Sequence, residues 1–278
     1  MGIFDYFKPV STWSADRVRQ FLQKRRAGEY QLLDVRQRKE YDRGHLPGAL
    51  LVPLDHLQEE MKKLDSDKTT ITYCGIGVRS RAAAATLKNA GFTDVHSMAG
   101  GIKAWEGHSA VDEPEAGAVY FSPANTLDEF IGLAWLIERA TRTFYLAMAE
   151  RFTETGSPSF FQQMAATEER HQTFLEDLFE KTAGEALDEE SIRTRIPSLP
   201  DQAILEGGVS LADALRWADR HTPAEIVQLA IAFETNAWDR YLLMAHGHGD
   251  GEIGELFRTL AEEEKNHLQQ LGDYLNQL

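Results

Sequence analysis

Two tetrapeptides, EERH at 168–171 and EKNH at 264–267, each set a histidine three residues after a glutamate, and they lie 96 residues apart. On a helix, residues three apart sit side by side on one face. Each stretch therefore offers a carboxylate and an imidazole together, a donor pair suited to a transition metal. One Glu-x-x-His is unremarkable in a chain with 44 acidic residues and 9 histidines, but here the neighbourhood repeats too. Glu138 stands 30 residues before Glu168 and Glu234 stands 30 before Glu264, and Tyr145 and Tyr241 recur at the same offset of 96. The candidate metal ligands are thus Glu138, Glu168, His171, Glu234, Glu264 and His267. The other reactive candidate is Cys74, the single cysteine, in the run CGIGVRS.

The elements that must position the repeated set are helices. One apolar stripe runs Phe161, Met164, Glu168, His171, Leu175, Leu178, and another Phe257, Leu260, Glu264, His267, Leu271, Tyr274. Both follow the alternating three- and four-residue step of a single helix face, which puts Glu and His inside the core stripe. Ile131, Ala134, Glu138, Thr141, Tyr145, Met148 and Val227, Ala230, Glu234, Ala237, Tyr241, Met244 repeat the pattern. The expected helices lie near 126–154, 158–181, 223–246 and 251–276, a duplicated helical hairpin. Residues 182–222 lie between the hairpins, with a short helix expected at 210–220. His246 and His248 are expected in a loop between helices, and His221 at a helix C-terminus.

Four carboxylates and two imidazoles in a packed interior are costly unless neutralised, and two divalent cations bring four positive charges against four negative ones. One Glu from each of two helices, with Glu-x-x-His from each of the other two, is the di-metal carboxylate arrangement of four-helix bundles. Mixed carboxylate and imidazole donors suit iron, with manganese next; zinc could sit there without redox function.

Cys74 calls for a different scaffold. Short apolar runs at 32–35, 49–52, 70–73 and 94–98 alternate with helical patterns near 15–25, 55–64 and 80–90, the signature of an α/β domain with a parallel sheet. Cys74 falls at the carboxyl end of a strand and ahead of a helix, where such sheets place ligand sites. Gly75 and Gly77 let the backbone curl so that successive N–H groups point inward. The helix N-terminus favours a thiolate, and Arg79 and Arg81 add positive charge.

Composition bounds the rest. The 278 residues suffice for two domains, expected at 1–108 and 123–278 with an aperiodic acidic linker at 109–122. Residues 1–110 carry a net charge of +4 and residues 111–278 carry −19, together the −15 of the chain. The acidic half is a poor partner for nucleic acid. No apolar run approaches the length of a membrane span, and MGIFDYFKPV lacks signal-peptide and myristoylation features, so the expected location is cytoplasmic. One cysteine rules out an intrachain disulfide or a four-cysteine metal knuckle.

Residues 8–107 resemble the rhodanese family of sulfurtransferases, through LLDVRQRKEYDRGHLPGALLVP (32–53), CGIGVR (74–79) and GFTDVHSMAGGIKAW (91–105). The resemblance implies that Cys74 takes sulfur from a sulfane-sulfur donor such as thiosulfate or a persulfide and carries it as its own persulfide. The N–H groups of Gly75, Ile76, Gly77 and Val78, together with Arg79, would stabilise the anionic sulfur. The six-residue span from Cys74 to Arg79 is the length the family associates with sulfur and not phosphate. Asp34, Arg36 and Glu40 match positions of a local ion-pair network, while Gly75 departs from the larger or basic residue many members carry.

Residues 123–278 resemble the ferritin-like superfamily, in its rubrerythrin and bacterioferritin branches. This implies two iron ions per chain held by the six candidate ligands, with Glu168 and Glu264 bridging and Tyr145 and Tyr241 donating hydrogen bonds to ligands. Ala237 stands where rubrerythrins usually carry a further Glu, which makes the site nearly symmetric. The four-cysteine iron domain that often feeds electrons inward has no counterpart, so peroxidase chemistry would need an external electron donor. The leading expectation is a fusion enzyme that transfers sulfur through Cys74 and acts on peroxide or dioxygen at a di-iron centre, as a homodimer. The alternatives are a ferroxidase that sequesters iron beside an accessory rhodanese domain, and a non-catalytic rhodanese module on a metal-stabilised dimer.

Overall fold

In the computed structural model the chain divides into two compact units, residues 1–113 with 239–250, and residues 114–238 with 251–278. The structure describes residues 10–111, 120–152, 158–199 and 201–277. The N-terminal MGIFDYFKP stretch and most of the expected linker lie outside the described residues.

The first unit is built on a five-stranded, wholly parallel sheet in the order β1-β5-β4-β2-β3. Its strands are β1 (Ser11–Trp13), β2 (Tyr30–Asp34), β3 (Leu50–Leu51), β4 (Thr69–Tyr73) and β5 (Val95–Met98). Four consecutive residues are buried in each of β2, β4 and β5, as expected of strands covered on both faces. One face packs Leu32, Ile71, Tyr73 and Met98 with Trp13, Val18 and Leu22. The other packs Leu33, Val35, Cys74 and Val95 with Ala83, Ala84 and Leu87. The covering helices are α1 (Ala15–Gln23), α2 (Arg38–Tyr41), α3 (Leu57–Glu60) and α4 (Val78–Asn89). Ser14 caps α1 by accepting from the Arg17 N–H at 3.2 Å. Ala110, at the start of the expected linker, pairs with His45 through reciprocal 2.9 Å backbone bonds.

The second unit is helical, with α5 (Leu127–Arg151), α6 (Pro158–Ala183), α7 (Glu189–Arg195), α8 (Leu211–Ala218), α9 (Pro223–His248, whose last turns belong to the first unit) and α10 (Glu252–Leu275). The long helices share a core of Phe144, Phe161, Met164, Val227, Phe233 and Leu271, and so form the expected bundle with its long crossover. Thr126 and Glu129 close a capping box on α5. Toward the end of α6 the buried position passes from Leu178 to Phe179, the drift expected of a 3.6-residue period against a 3.5-residue stripe.

The histidine expectation needs correcting. His246 and His248 are helical, in the last turn of α9, because the stop falls later, at Gly249 with its left-handed φ of 64°. His221 lies just beyond α8, with its Nδ1 2.6 Å from the Trp217 carbonyl oxygen. No helix among the described residues is long and apolar enough to cross a membrane.

Candidate functional site

Cys74 follows β4 directly, and the chain turns through Gly75, Ile76 and Gly77 into α4. Gly77 makes the turn possible with a φ of 95°, and its N–H donates to Cys74 Sγ at 3.1 Å. A second segment straps the loop from behind: the Ile102 N–H donates to the Cys74 carbonyl at 2.8 Å, and that of Lys103 to the Gly75 carbonyl at 3.2 Å. Gly101 makes this approach possible, since a Cβ there would lie 2.7 Å from both Gly75 C and Ile76 N. Cys74 is wholly buried, while the loop flanks Ile76 and Val78 are 65 % and 69 % exposed. Burial acts to raise the Cys74 thiol, but hydrogen bonding from the backbone of Ser80, Ile76 and Gly77 and from the Ser80 side chain outweighs it, so the thiol sits below its ordinary value.

Arg79, on the first turn of α4, is held by a bidentate pair with Glu40, both contacts 2.7 Å. Arg36 pairs instead with the buried Asp34, at 2.6 Å, and also donates to the Gly44 carbonyl. The expected network is thus two ion pairs, of which one reaches the cysteine loop.

In the helical unit, Glu138 on α5, Glu168 and His171 on α6, Glu234 on α9, and Glu264 and His267 on α10 come together, all buried. The two halves mirror each other. His171 Nδ1 lies 3.3 Å from Glu138 Oε2 and 3.6 Å from Glu168 Oε2. His267 Nδ1 lies 3.3 Å from Glu234 Oε2 and 3.6 Å from Glu264 Oε2. Glu168 faces both halves, because its Oε1 is 3.6 Å from His267 Nδ1. The imidazoles stack with centroids 4.9 Å apart.

These donors fit metal ions. Two ligand atoms each about 2.1 Å from one ion stand roughly 3.0–3.4 Å apart at octahedral or tetrahedral angles, close to the separations seen. Glu138 Oε1, both oxygens of Glu168 and of Glu264, and His267 Nε2 are buried with no hydrogen-bond partner. Buried polar atoms are ordinarily paired, and orphaned carboxylate oxygens gathered around two imidazoles mark a place where a cation belongs.

Against known families, a rhodanese-like domain model matches residues 17–108 and a rubrerythrin model matches residues 129–220. Thiosulfate sulfurtransferase GlpE of Coxiella burnetii is 35 % identical over 77 residues, covering 28 % of this chain and 72 % of GlpE. The chain belongs to the rhodanese family and carries a rubrerythrin domain. The Bacillus subtilis protein YqhL is 40 % identical over 77 residues, 28 % of this chain and 61 % of YqhL. The probable adenylyltransferase/sulfurtransferase MoeZ of Mycobacterium tuberculosis is 46 % identical over 76 residues, 27 % of this chain and 19 % of MoeZ. The chain thus spans less than two thirds of the length of these two relatives. A solved rhodanese-related protein from Thermoplasma volcanium is 26 % identical, covering 37 % of this chain and 99 % of its own, with a TM-score of 0.34.

The rubrerythrin domain implies iron binding, and its buried cluster is larger than the repeat announced. Tyr145 donates to Glu234 Oε1 at 2.6 Å; Tyr241 is buried as well, in the segment grouped with the first unit. Glu263 accepts from or pairs with His171 Nε2 at 3.2 Å. Its equivalent 96 residues earlier is Thr167, so the two histidines differ in their outer partner. A surface groove lined by Thr167, Arg170, Phe174, Glu263 and Asn266 runs alongside His171.

The residue that sequence reasoning missed is Glu206, fully buried in the crossover, with a carboxylate oxygen near those of Glu138 and Glu264, and one near the oxygens of Glu168 and Glu234 and a ring nitrogen of His267. It has no partner in the repeat. The available signal was a lone acid inside the apolar run ILEGGV.

Charge is unevenly held among these groups. Burial acts to raise Glu138, but hydrogen bonding from His171 overrides it and leaves the carboxyl low. Glu234 is likewise pulled down to about 2, against burial, by His267 and by the Tyr145 hydroxyl. Burial pushes Glu168 up to about 8, and burial with the help of neighbouring carboxylates raises Glu206 and Glu264 as well. Both histidines are raised, since the flanking carboxylates outweigh the burial that would lower them.

Proposed function

We propose that the chain is a two-site enzyme, with a sulfurtransferase at Cys74 in a domain spanning 1–108 and a di-iron redox site acting on peroxide or dioxygen in a bundle spanning 123–278, joined by a linker at 109–122. The mirrored 3.3 and 3.6 Å separations about His171 and His267 carry the second half of this reading. The Gly77 N–H aimed at Cys74 Sγ supports the first.

At the cysteine loop, the Cys74 thiolate attacks the outer sulfur of thiosulfate. A Cys74–S bond forms, the S–S bond of the donor breaks, and sulfite leaves with the electron pair. A thiolate acceptor then attacks the outer sulfur and Cys74 departs as thiolate. The inward N–H groups and the helix N-terminus stabilise the negative sulfur throughout, and Arg79, held by Glu40, adds charge. Relatedness to a thiosulfate sulfurtransferase supports thiosulfate as the donor class.

In the bundle, Glu138, Glu168, His171, Glu234, Glu264 and His267 would hold two irons. When bound, iron supplies redox chemistry toward peroxide or dioxygen. Glu168, with one oxygen toward each imidazole, would serve both metal positions. Glu263 engages His171 Nε2 and leaves Nδ1 facing the carboxylates, while the Tyr145 hydroxyl orients Glu234 and keeps it ionised. Small oxidants would enter by the groove beside His171. Electrons come from an external donor, and a homodimer is the assembly we expect.

Two measurements test the halves separately. Cys74→Ser should abolish thiosulfate:cyanide sulfurtransferase activity, and retention of that activity would remove Cys74 from the chemistry. Metal analysis of anaerobically purified protein should give about two irons per chain, with a visible spectrum that changes on adding peroxide. Iron-free protein that takes none up on reconstitution would refute the di-iron site.

A further inference from the structure

Five buried carboxylates, not four, meet in the bundle, and the fifth is held there by a purpose-shaped turn. Leu205 and Val209 close the turn, the Leu205 N–H donating to the Val209 carbonyl at 2.8 Å, and the Leu211 N–H returns to the Ala203 carbonyl at 3.0 Å. Ile204 and Ser210 pair across it. Glu206 stands at the tip, and its own N–H donates to Thr141 Oγ1 at 3.2 Å, one turn along α5 from Glu138. Gly207, with a φ of 77°, brings the tip against the backbone of α9: a Cβ there would lie 2.9 Å from Phe233 Cα and 3.0 Å from Phe233 O. Phe233 precedes Glu234. The turn is thus pinned to both helices that supply the single-glutamate positions.

What this turn delivers is a carboxylate with nothing to bind. Glu206 is 0 % exposed, and neither of its oxygens has a hydrogen-bond partner. One set of ligand atoms within 4.8 Å of one another joins Glu206 to Glu168, Glu234 and His267, and a second joins it to Glu138 and Glu264. Glu206 alone belongs to both of these sets. A buried carboxylate without a partner is strongly destabilising, so a turn built to hold one there needs a cation to face it. We propose that Glu206 is a further metal ligand, a fifth carboxylate that reaches both metal positions from the crossover.

This inference rests on the di-iron reading above and extends it. It breaks the symmetry of the repeat, since the position 96 residues before Glu206 is Ala110, which offers no ligand atom. It also sets five carboxylate charges against the four of two divalent ions.

The test uses the full chain, stripped of metal and titrated anaerobically with Fe2+, comparing wild type with Glu206→Gln and Glu206→Ala. Both substitutions should weaken binding of at least one iron by about tenfold or more. Metal-free Glu206→Gln should meanwhile melt at or above the metal-free wild type, because the amide keeps the side chain's volume and removes a buried acid from among the other carboxyls. Should Glu206→Ala fail to fold, Glu206→Gln decides alone. Variants that bind two irons with wild-type affinity would overturn the assignment and leave the six-ligand site standing, whatever happens to their metal-free stability. A wild type that binds no iron would overturn both.

Discussion

Glu40 and Arg79 face each other through two 2.7 Å contacts, and the guanidinium pulls the Glu40 carboxyl down to about 2 against the opposing effect of burial. A carboxyl whose folded value is depressed stabilises the fold above its unfolded value near 4.5 and loses that contribution as pH falls toward 2. Both partners are partly exposed, so solvent screens the pair, and its weight lies in fixing Arg79. Glu40→Gln should lower sulfurtransferase turnover several-fold at neutral pH and flatten the acid limb of the stability profile between about pH 4.5 and 2; an unchanged limb would mean the pair does not form in solution. The metal cluster carries its own pH signature. Raised values at His171, His267, Glu168, Glu206 and Glu264 mean that the metal-free site holds protons at neutral pH. Iron must displace them, so affinity should rise with pH and an indicator dye should register protons released on binding. The six repeated candidate ligands were legible as a group because each lies in an apolar stripe and has a copy 96 residues away. Glu206 was illegible because only the folded chain brings the Thr141 and Phe233 neighbourhoods to it. The Glu40–Arg79 pairing spans 39 residues, and no local pattern joins its ends.

At the scale of elements, both sites depend on glycines that let one backbone touch another. Gly101→Ala would drive a Cβ into the cysteine loop at a φ of 59°. It should cost about 1–3 kcal/mol from backbone strain, with the steric overlap in addition, and the thermal midpoint and sulfur transfer should fall together. Gly207→Ala should lift the crossover turn off α9 and weaken iron binding as the Glu206 variants do, and wild-type affinity in this variant would show that the turn need not lie so close. The long helices were legible from their periodicity over six or seven turns. The short elements were not: β1 has three residues and is set by pairing with β5, while α2 and α7, with four and seven residues, are too short to show a period. The end of α9 was placed early because its apolar pattern fades at Ala245, whereas the backbone continues helical until Gly249.

Across the whole molecule, the acidic half of the chain concentrates negative charge where cations are needed. Stripping metal should lower the melting temperature, and ferrous ion at a hundred times its dissociation constant should restore about 2.7 kcal/mol; a melting temperature indifferent to chelation would contradict a metal held in the core. The duplicated hairpin also sets a schedule. The cysteine loop and its sheet are encoded almost entirely in the first 110 residues, whereas the cluster draws on both hairpins. His267 leaves the ribosome 96 residues after His171, roughly 5–20 s later at common synthesis rates. Throughout that interval the first hairpin carries Glu138, Glu168 and His171 on a face with nothing opposite. The nascent chain thus carries its whole parallel sheet while the bundle is half-built, and on the proposed di-iron reading the full ligand set exists only after translation has passed the last helix.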